Sequence, residues 1–192
     1  MGKHIICCQT RLSLCVMKYL TVAICVQFVL AAMVFASSIT IGDAAPNFEV
    51  YSTNTSPLHS SSLKGNVLVI TYETKDVVDK NKAFKDKVLE LYSTDDSMSQ
   101  SVRIIPIINC FKYVWPFKKY CIKKTLENAR SLGIRLYYDK SGKMYDDFGM
   151  KDDESNVFVV DKNGIVSYFK EGQLNDNEID QVMKLIHKLA TH

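Results

Sequence analysis

The pattern of apolar and polar residues predicts a buried strand that leads directly into a helix. Residues 67–72 are apolar or β-branched almost without interruption, which is typical of a strand covered on both faces of a mostly parallel sheet. From Val77 onward, apolar residues recur at three- and four-residue steps, which predicts a helix with one apolar stripe. Sites in open α/β sheets form where such a strand ends. Residues 71–79 are therefore the first candidate region, yet they contain no cysteine, histidine or glycine-rich loop.

Three further elements are predicted in the middle of the chain. A second strand is predicted over residues 102–109, although Pro106 lacks the backbone donor that a strand inside a sheet normally uses. Residues 110–131 predict a helix in their second half, which ends near Gly133. Another strand is predicted over residues 134–138.

Two polar stretches, residues 93–101 and 146–154, are predicted to be irregular loops.

The last third of the chain predicts a hairpin followed by a helix. Asn163 and Gly164 lie between two apolar runs, which is the strongest short signal for a β-hairpin. Residues 175–178 place an N-cap asparagine three residues before a glutamate, at the start of a final helix. The order of elements predicts an α/β fold with helices on both faces of a mixed sheet.

Charge is unevenly distributed along the 192 residues. Residues 1–36 contain three of the 24 basic residues and no acidic residue, so the rest of the chain carries 21 basic and 21 acidic residues. A neutral body gives no general electrostatic reason to expect a nucleic acid partner.

An uncharged apolar run, residues 19–36, follows these basic residues, and Ala36 and Ser37 place small side chains where a signal peptidase cuts. Residues 1–36 are therefore predicted to be a cleaved signal peptide and residues 37–192 the exported domain, with Met17 a candidate for the true first residue. Because about 20 apolar residues can cross a bilayer, a single-pass membrane anchor is the alternative. We expect an exported protein that is periplasmic, or anchored in the inner membrane and facing the periplasm. If uncleaved, residues 19–36 are expected to be its only membrane contact.

Export changes the meaning of the six cysteines. Four fall in residues 1–36, so only Cys110 and Cys121 remain, in a compartment expected to be oxidising. Three states stay open for this pair: a structural disulfide, two free buried thiols, or a relocated redox pair. Nearby lysines would lower a thiol pKa, but ten intervening residues lack the tight coupling of a Cys-x-x-Cys pair. Two thiols are too few for a closed zinc site, and we expect no metal and no cofactor.

The segment around these cysteines combines aromatic and basic side chains. Residues 110–124 contain five aromatic residues, five lysines and no acid. This composition suits recognition of a protein, a lipid headgroup or a glycan. The alternative is a loop that packs its aromatic residues inward and leaves the lysines in solvent. The residues predicted to form the binding surface are Phe111, Tyr113, Trp115, Phe117, Lys118 and Lys119.

Three segments resemble the thioredoxin-like superfamily in its redoxin form, and the resemblance covers about residues 41–190. Residues 42–48 are similar to the N-terminal redoxin motif, and residues 63–70 to the loop and strand before the redoxin active site. Residues 157–166 are similar to the final redoxin hairpin. The resemblance implies a thioredoxin-like three-layer sandwich, in which a mixed central sheet is followed by a C-terminal β-hairpin and helix.

Among the branches of that superfamily, residues 170–174 and 181–185 look most like the YtfJ type of small exported bacterial proteins. The chain departs from redox-active members, which carry cysteine where the strand passes into the helix and a cis-proline before the final hairpin. The proline position aligns with Ser155 or Asn156, where a cis bond without proline would cost about 2.5–4 kcal/mol. The positions that correspond to the family's site are Asp76, Val77, Val78, Asp79, Lys80 and Ser155, and none is cysteine or proline.

These departures argue against the usual thiol chemistry, because carboxylates and valines cannot replace a thiolate at a helix N-terminus. Asp76 and Asp79 are interpreted as charges that favour the helix dipole, not as a catalytic pair. We expect an exported thioredoxin-fold binding or accessory protein of the cell envelope, whose partner is an envelope protein or a thiol partner. A thiol-disulfide oxidoreductase with Cys110 as attacking and Cys121 as resolving thiol is the alternative. Peroxidase activity is disfavoured, because the peroxidatic position is empty.

Overall fold

The structure, a computed structural model, describes residues 39–52 and 56–191. The predicted signal peptide or anchor, residues 1–36, lies outside the described residues. No helix within the described ranges is long and apolar enough to cross a membrane.

The described residues form seven strands, five α-helices and one short 3₁₀ helix. The strands are β1 (Glu49–Val50), β2 (Leu58–His59), β3 (Val67–Glu73), β4 (Val102–Asn109), β5 (Tyr137–Asp139), β6 (Asn156–Val160) and β7 (Val166–Glu171). The helices are α1 (Lys82–Thr94), α2 (Asp96–Ser101), α3 (Phe117–Leu132), α4 (Lys143–Phe148) and α5 (Asp176–Thr191), and the 3₁₀ helix is Ser60–Leu63.

The strand β3 lies at the centre of a five-stranded sheet whose order is β5-β4-β3-β6-β7. The strands β3, β4 and β5 run parallel, with Glu73 of β3 opposite Ile108 of β4. The strand β6 runs antiparallel to β3, and β7 antiparallel to β6, so the predicted hairpin around Asn163 and Gly164 is confirmed. The strands β1 and β2 form a separate two-stranded sheet.

Alternate side chains of β3 enter two apolar cores on opposite faces of the sheet. One core contains Leu68, Ile70 and Tyr72 and is covered by β1 and α4. The other contains Val67 and Val69 and is covered by α1, α2 and α5. Helices therefore cover both faces of a mixed sheet, which confirms the three-layer α/β arrangement.

The first long helix begins later than its apolar stripe predicted. The helix α1 begins at Lys82, and residues 75–81 form turns. Val77 is nevertheless buried, because the turns carry it into the interior without helical backbone. No acidic residue lies in the first turn of α1, so the interpretation of Asp76 and Asp79 as helix-dipole charges is wrong.

Two stretches predicted to be irregular contain short helices. The helix α2 lies within residues 93–101 and begins where the Asp95 carboxylate accepts two backbone N–H groups. The helix α4 extends into residues 146–154. The helix α2 buries Met98, and α4 buries Met144 and Phe148. Residues 93–101 contain one buried apolar residue, and the part of α4 within residues 146–154 contains only Phe148, so neither polar stretch shows a helical apolar period.

The proline in β4 is tolerated where that strand has one neighbour. Pro106 lies opposite Thr71 of β3, and β5 pairs with β4 only from Ile107 onward. Proline removes a ladder donor, which costs least where no second strand needs it. The predicted strand is therefore complete despite its proline.

Candidate functional site

The carboxyl ends of β3, β4 and β5 meet at one edge of the sheet, because these strands are parallel. This edge carries Glu73 at the end of β3, Asn109 at the end of β4 and Asp139 at the end of β5. Ser155 lies at the same edge because β6, which it precedes, runs antiparallel to β3. Ligand sites of open α/β sheets form at such carboxyl ends, so this is the candidate functional site.

A buried carboxylate occupies the centre of the site. The Glu73 side chain is only 2% exposed, and its Oε2 lies 2.8 Å from the Nζ of Lys85 in α1. Its Oε1 accepts a hydrogen bond of 2.6 Å from the Ser155 hydroxyl. Lys85 also donates to the backbone carbonyl of Val78. The end of β3 is thereby fixed to α1 and to the segment before β6.

The side chain of Asn81 extends this network to the C-terminal part of the chain. Its amide nitrogen donates to the Ser155 hydroxyl at 2.8 Å and to the carbonyl of Gly172 at 2.9 Å. Its amide oxygen accepts from the backbone N–H of Leu174 at 2.9 Å. Asn81 therefore ties the start of α1 to the connection between β7 and α5.

The network favours a structural role for the carboxyl group. Burial raises the pKa of Glu73 above its ordinary value and outweighs the opposing effects of Lys85 and Ser155. Both oxygens of Glu73 already have partners, and the Ser155 hydroxyl is fully buried. The neighbouring Thr74 hydroxyl is buried with no hydrogen-bond partner among the described residues. None of these groups is exposed to a substrate in solution.

The residues that correspond to the family's thiol site surround this network without forming a second cluster. Asp76 is exposed, lies 3.1 Å from Lys75, and accepts from the Tyr113 hydroxyl at 3.3 Å. Lys80 forms a 2.6 Å ion pair with Glu154, which lowers the pKa of that carboxyl. The remaining positions are Val77, which is buried, Val78, which packs against the two cysteines, and Asp79, which is exposed.

A second buried carboxylate, Asp139, organises the far side of the edge. Its Oδ1 accepts from the backbone N–H groups of Ser141 at 2.8 Å and Gly142 at 2.9 Å, and its Oδ2 accepts from the Tyr72 hydroxyl at 3.1 Å. Burial, with Asp139 adding to it, raises the pKa of Tyr72 above its ordinary value. The Asp139 carbonyl accepts from the N–H of Cys110, which places the first cysteine beside this turn.

Cys110 and Cys121 are joined in a disulfide that connects the end of β4 to α3, and their Cα atoms lie 5.7 Å apart. The bonded state leaves the structural bridge and the relocated redox pair as the two remaining alternatives. Cys110 is fully buried and Cys121 nearly so. Ile108 and the partly buried Val78 pack against them. An external thiolate has little access to either sulfur, which favours the structural bridge.

The ten residues inside this disulfide, residues 111–120, are here called the aromatic loop. Its first part is fixed to the body of the domain. Phe111 lies against Gly142, where φ is 79° and a side chain would collide with the Phe111 ring. Lys112 forms ion pairs with Asp153 and, at 3.3 Å, with Asp152.

The second part of the aromatic loop projects into solvent. Trp115 is 81% exposed and Val114 75%, while Phe117 and Tyr120 at the start of α3 are 64% and 59% exposed. These four side chains therefore do not pack inward, as the alternative interpretation of the loop predicts. Large apolar side chains exposed together are uncommon on soluble proteins and are typical of interaction surfaces. Its use for binding stays a prediction.

Apart from Ser155, sequence reasoning missed the polar residues that fix this edge. Glu73 carried a signal, because it is the one charged residue at the end of an otherwise apolar strand. Asp139 carried a weaker signal as the first residue of a polar turn. Asn81 had none, because its partners lie 74 to 93 residues away in sequence. Lys85 had none, because its spacing of twelve residues from Glu73 crosses from a strand into a helix and follows no period. Among the described residues no group of three or more histidine, cysteine, aspartate or glutamate side chains is placed to hold a metal ion.

Replacing Asn81 by alanine should destabilise the fold. The change removes three hydrogen bonds and leaves the Gly172 carbonyl and the Leu174 N–H unpaired, so the free energy of unfolding should fall by about 2–4 kcal/mol. Urea denaturation measures the loss. The matched control, exposed Asn128→Ala in α3, should change it by less than about 0.5 kcal/mol. Equal effects in the two variants would contradict the role given to Asn81.

The raised pKa of Glu73 predicts a pH dependence of stability. The folded state binds this proton more tightly than the unfolded chain, so stability falls as pH rises from the ordinary value of 4.5 through the higher folded value. In Glu73→Gln this decline should flatten, whatever the variant's absolute stability. The measurement is the urea midpoint as a function of pH across that range, and exposed Glu90→Gln is the control. If the midpoint declines as steeply with pH in Glu73→Gln as in the unmodified protein, the pH dependence does not come from Glu73.

Comparison with known proteins relates this geometry to the redoxin fold. A candidate thiol:disulfide interchange protein DsbE from Chlorobium tepidum matches with a TM-score of 0.61 and 15% identity, covering 80% of this chain and 99% of that one. A candidate protein disulfide isomerase from Bacteroides thetaiotaomicron matches with a TM-score of 0.62 and 19% identity, covering 80% and 92%. A peroxiredoxin-like protein from Aquifex aeolicus matches with a TM-score of 0.55 and 17% identity, covering 80% of this chain and 89% of that one. At these identities the likeness establishes the thioredoxin-like fold.

The family follows from sequence. The search of curated proteins found no match. A family model described as "Bacterial protein of unknown function (YtfJ_HI0045)" matches residues 47–189, which is most of the chain and nearly all of the described domain. Combined with a thioredoxin-like architecture, this match means that the chain belongs to the YtfJ family of bacterial proteins.

Proposed function

We propose that this protein is an exported binding or accessory protein of the bacterial cell envelope, and that the aromatic loop is its working surface. The observation that carries the proposal is the exposure of Val114, Trp115, Phe117 and Tyr120 in a loop closed by a disulfide. Apolar side chains in water are an unfavourable arrangement that a partner would relieve.

The composition of the sheet edge supports binding over thiol chemistry. Where redox-active relatives carry cysteine, residues 76–80 carry none. The space at the end of β3 is filled by the ion pair of Glu73 with Lys85 and by the Ser155 hydroxyl. A nucleophile needs access to its substrate, and these groups are buried and mutually paired.

Export is supported by one feature of the sequence and one of the structure. Residues 19–36 and the basic residues before them have the pattern of a signal peptide or an anchor. The only cysteines beyond that segment form a disulfide, and stable disulfides are typical of oxidising compartments such as the periplasm.

Removing the exposed aromatic residues should abolish binding without unfolding the domain. Because both side chains are mostly in solvent, Trp115→Ala with Phe117→Ala should change the free energy of unfolding by about 0.5 kcal/mol or less. A photoreactive phenylalanine in place of Tyr120 reports binding in cells through cross-linked adducts. The adducts should disappear in the double variant. They should persist in Leu132→Ala, because Leu132 lies on the same helix and is as exposed as Phe117. Adducts of undiminished yield in the double variant would refute the proposal.

A thiol-disulfide oxidoreductase is the second candidate, favoured by the position of the disulfide. Cys110 lies just after β4, on the edge where redoxins carry their thiols, and Val78 of the vacant site packs against the pair. In this reading Cys110 attacks a substrate disulfide and Cys121 resolves the mixed disulfide. The burial of Cys110 disfavours such an exchange.

The reduction potential of the pair distinguishes the two candidates. For a structural bridge we expect a value below roughly −300 mV by thiol trapping across redox buffers. Replacing both cysteines by serine should then lower the free energy of unfolding by about 3 kcal/mol. A potential in the range of thiol oxidoreductases, with Cys110 trapped first, would support the enzyme instead.

A further inference from the structure

The exposed part of the aromatic loop is a projection and not a pocket. Adjacent Val114 and Trp115 expose three quarters or more of their surface, so the rest of the domain provides few contacts around them. Protein–protein hot spots typically lie in well-packed pockets that exclude water. A projecting apolar group suits a soft, apolar phase that needs no matching cavity.

Two lysines beside this projection, Lys118 and Lys119, give it a positive charge. Lys118 and Lys119 form no ion pair among the described residues, and the Lys118 ammonium lies 5.0 Å from the centre of the Phe111 ring. The nearby acidic groups are already engaged: Asp76 with Lys75 and Tyr113, Asp152 and Asp153 with Lys112, and Glu127 with Lys123 and Lys124. Within residues 39–52 and 56–191, no acidic side chain therefore neutralises the charges of Lys118 and Lys119.

Helix formation gives no reason for these lysines. They lie in the first turn of α3, where the helix dipole disfavours positive charge, and no acidic residue offsets them there. Residues 110–124 contain five lysines and no arginine. Protein interfaces are enriched in arginine and depleted in lysine, whereas lysine beside tryptophan and phenylalanine is typical of segments that lie in a bilayer interface.

We propose that the aromatic loop docks onto an anionic phospholipid bilayer, with Trp115 and Val114 in the interfacial region and Lys118 and Lys119 against the lipid phosphates. The inference rests on the proposed binding function and identifies its partner. It departs from the sequence-based expectation that residues 19–36, if uncleaved, make the only membrane contact. Positive charge near an anionic surface and aromatic side chains at the headgroup level both favour this arrangement.

The chain contains its own probe, because Trp115 is its only tryptophan. Its fluorescence reports the surroundings of the loop in the full chain, whatever residues 19–36 do. The full chain is mixed with vesicles of equal parts phosphatidylglycerol and phosphatidylcholine, or of phosphatidylcholine alone. On the anionic vesicles we expect emission to shift to shorter wavelength and to be quenched by brominated acyl chains, with a much smaller effect on the neutral vesicles.

Charge reversal tests the role of the lysines. Each lysine at an anionic surface is worth about fivefold in partitioning, so Lys118→Glu with Lys119→Glu should raise the lipid concentration for half of the shift by roughly twentyfold or more. The matched control is Lys184→Glu with Lys188→Glu on α5, exposed lysines whose reversal changes the net charge equally. Equal losses in both pairs would overturn the inference, because the effect would then follow net charge alone.

The remaining outcomes separate this inference from the proposed function. If Trp115 keeps its emission and its accessibility to aqueous acrylamide on both kinds of vesicle, the bilayer inference is wrong. A shift of Trp115 with delipidated envelope proteins but not with vesicles would then leave the proposed function standing with a protein partner. If neither lipid nor envelope protein changes Trp115, and the cross-links at position 120 are also absent, both proposals fail.

Discussion

The arrangement at the sheet edge depends on one buried charge, the carboxylate of Glu73. A charge removed from water needs a partner and filled lone pairs, and here Lys85 and Ser155 provide them. Ser155 in turn accepts from Asn81, which binds the backbone after β7. Three segments that are far apart in the chain thereby converge on the end of the central strand. Their positions follow from the requirement that no member of the network be left unpaired.

This network also explains why the fold can lack the thiol site of its relatives. In a redox-active redoxin a helix begins directly after the strand, and its N-terminus lowers a thiol pKa. Here turns fill residues 75–81, and α1 begins only at Lys82. The dipole is thus displaced from the position that a reactive thiolate would need. The architecture is retained because its two apolar cores lie on the faces of the sheet, away from this edge.

The elements with local signals could be predicted from sequence, and the contacts between distant residues could not. The apolar run of β3 and the Asn163–Gly164 turn each carry their pattern within a few residues, and both are confirmed. The hydrogen bond between Glu73 and Ser155 joins residues 82 positions apart, and no periodicity encodes it. The aromatic loop was recognisable by composition, but the direction of its side chains depends on how β4 and α3 are oriented.

The disulfide between Cys110 and Cys121 restricts the conformation of the aromatic loop, which its composition alone would not do. It closes a small ring, and the ring's ends are held by β4 and α3. The segment therefore loses most of its conformational freedom when the disulfide forms. Binding of a partner would then cost less conformational entropy, which would strengthen the association. In a reducing cytosol the ring would be open. Under the proposed function, formation of this preorganised surface would therefore be coupled to export from the cytosol.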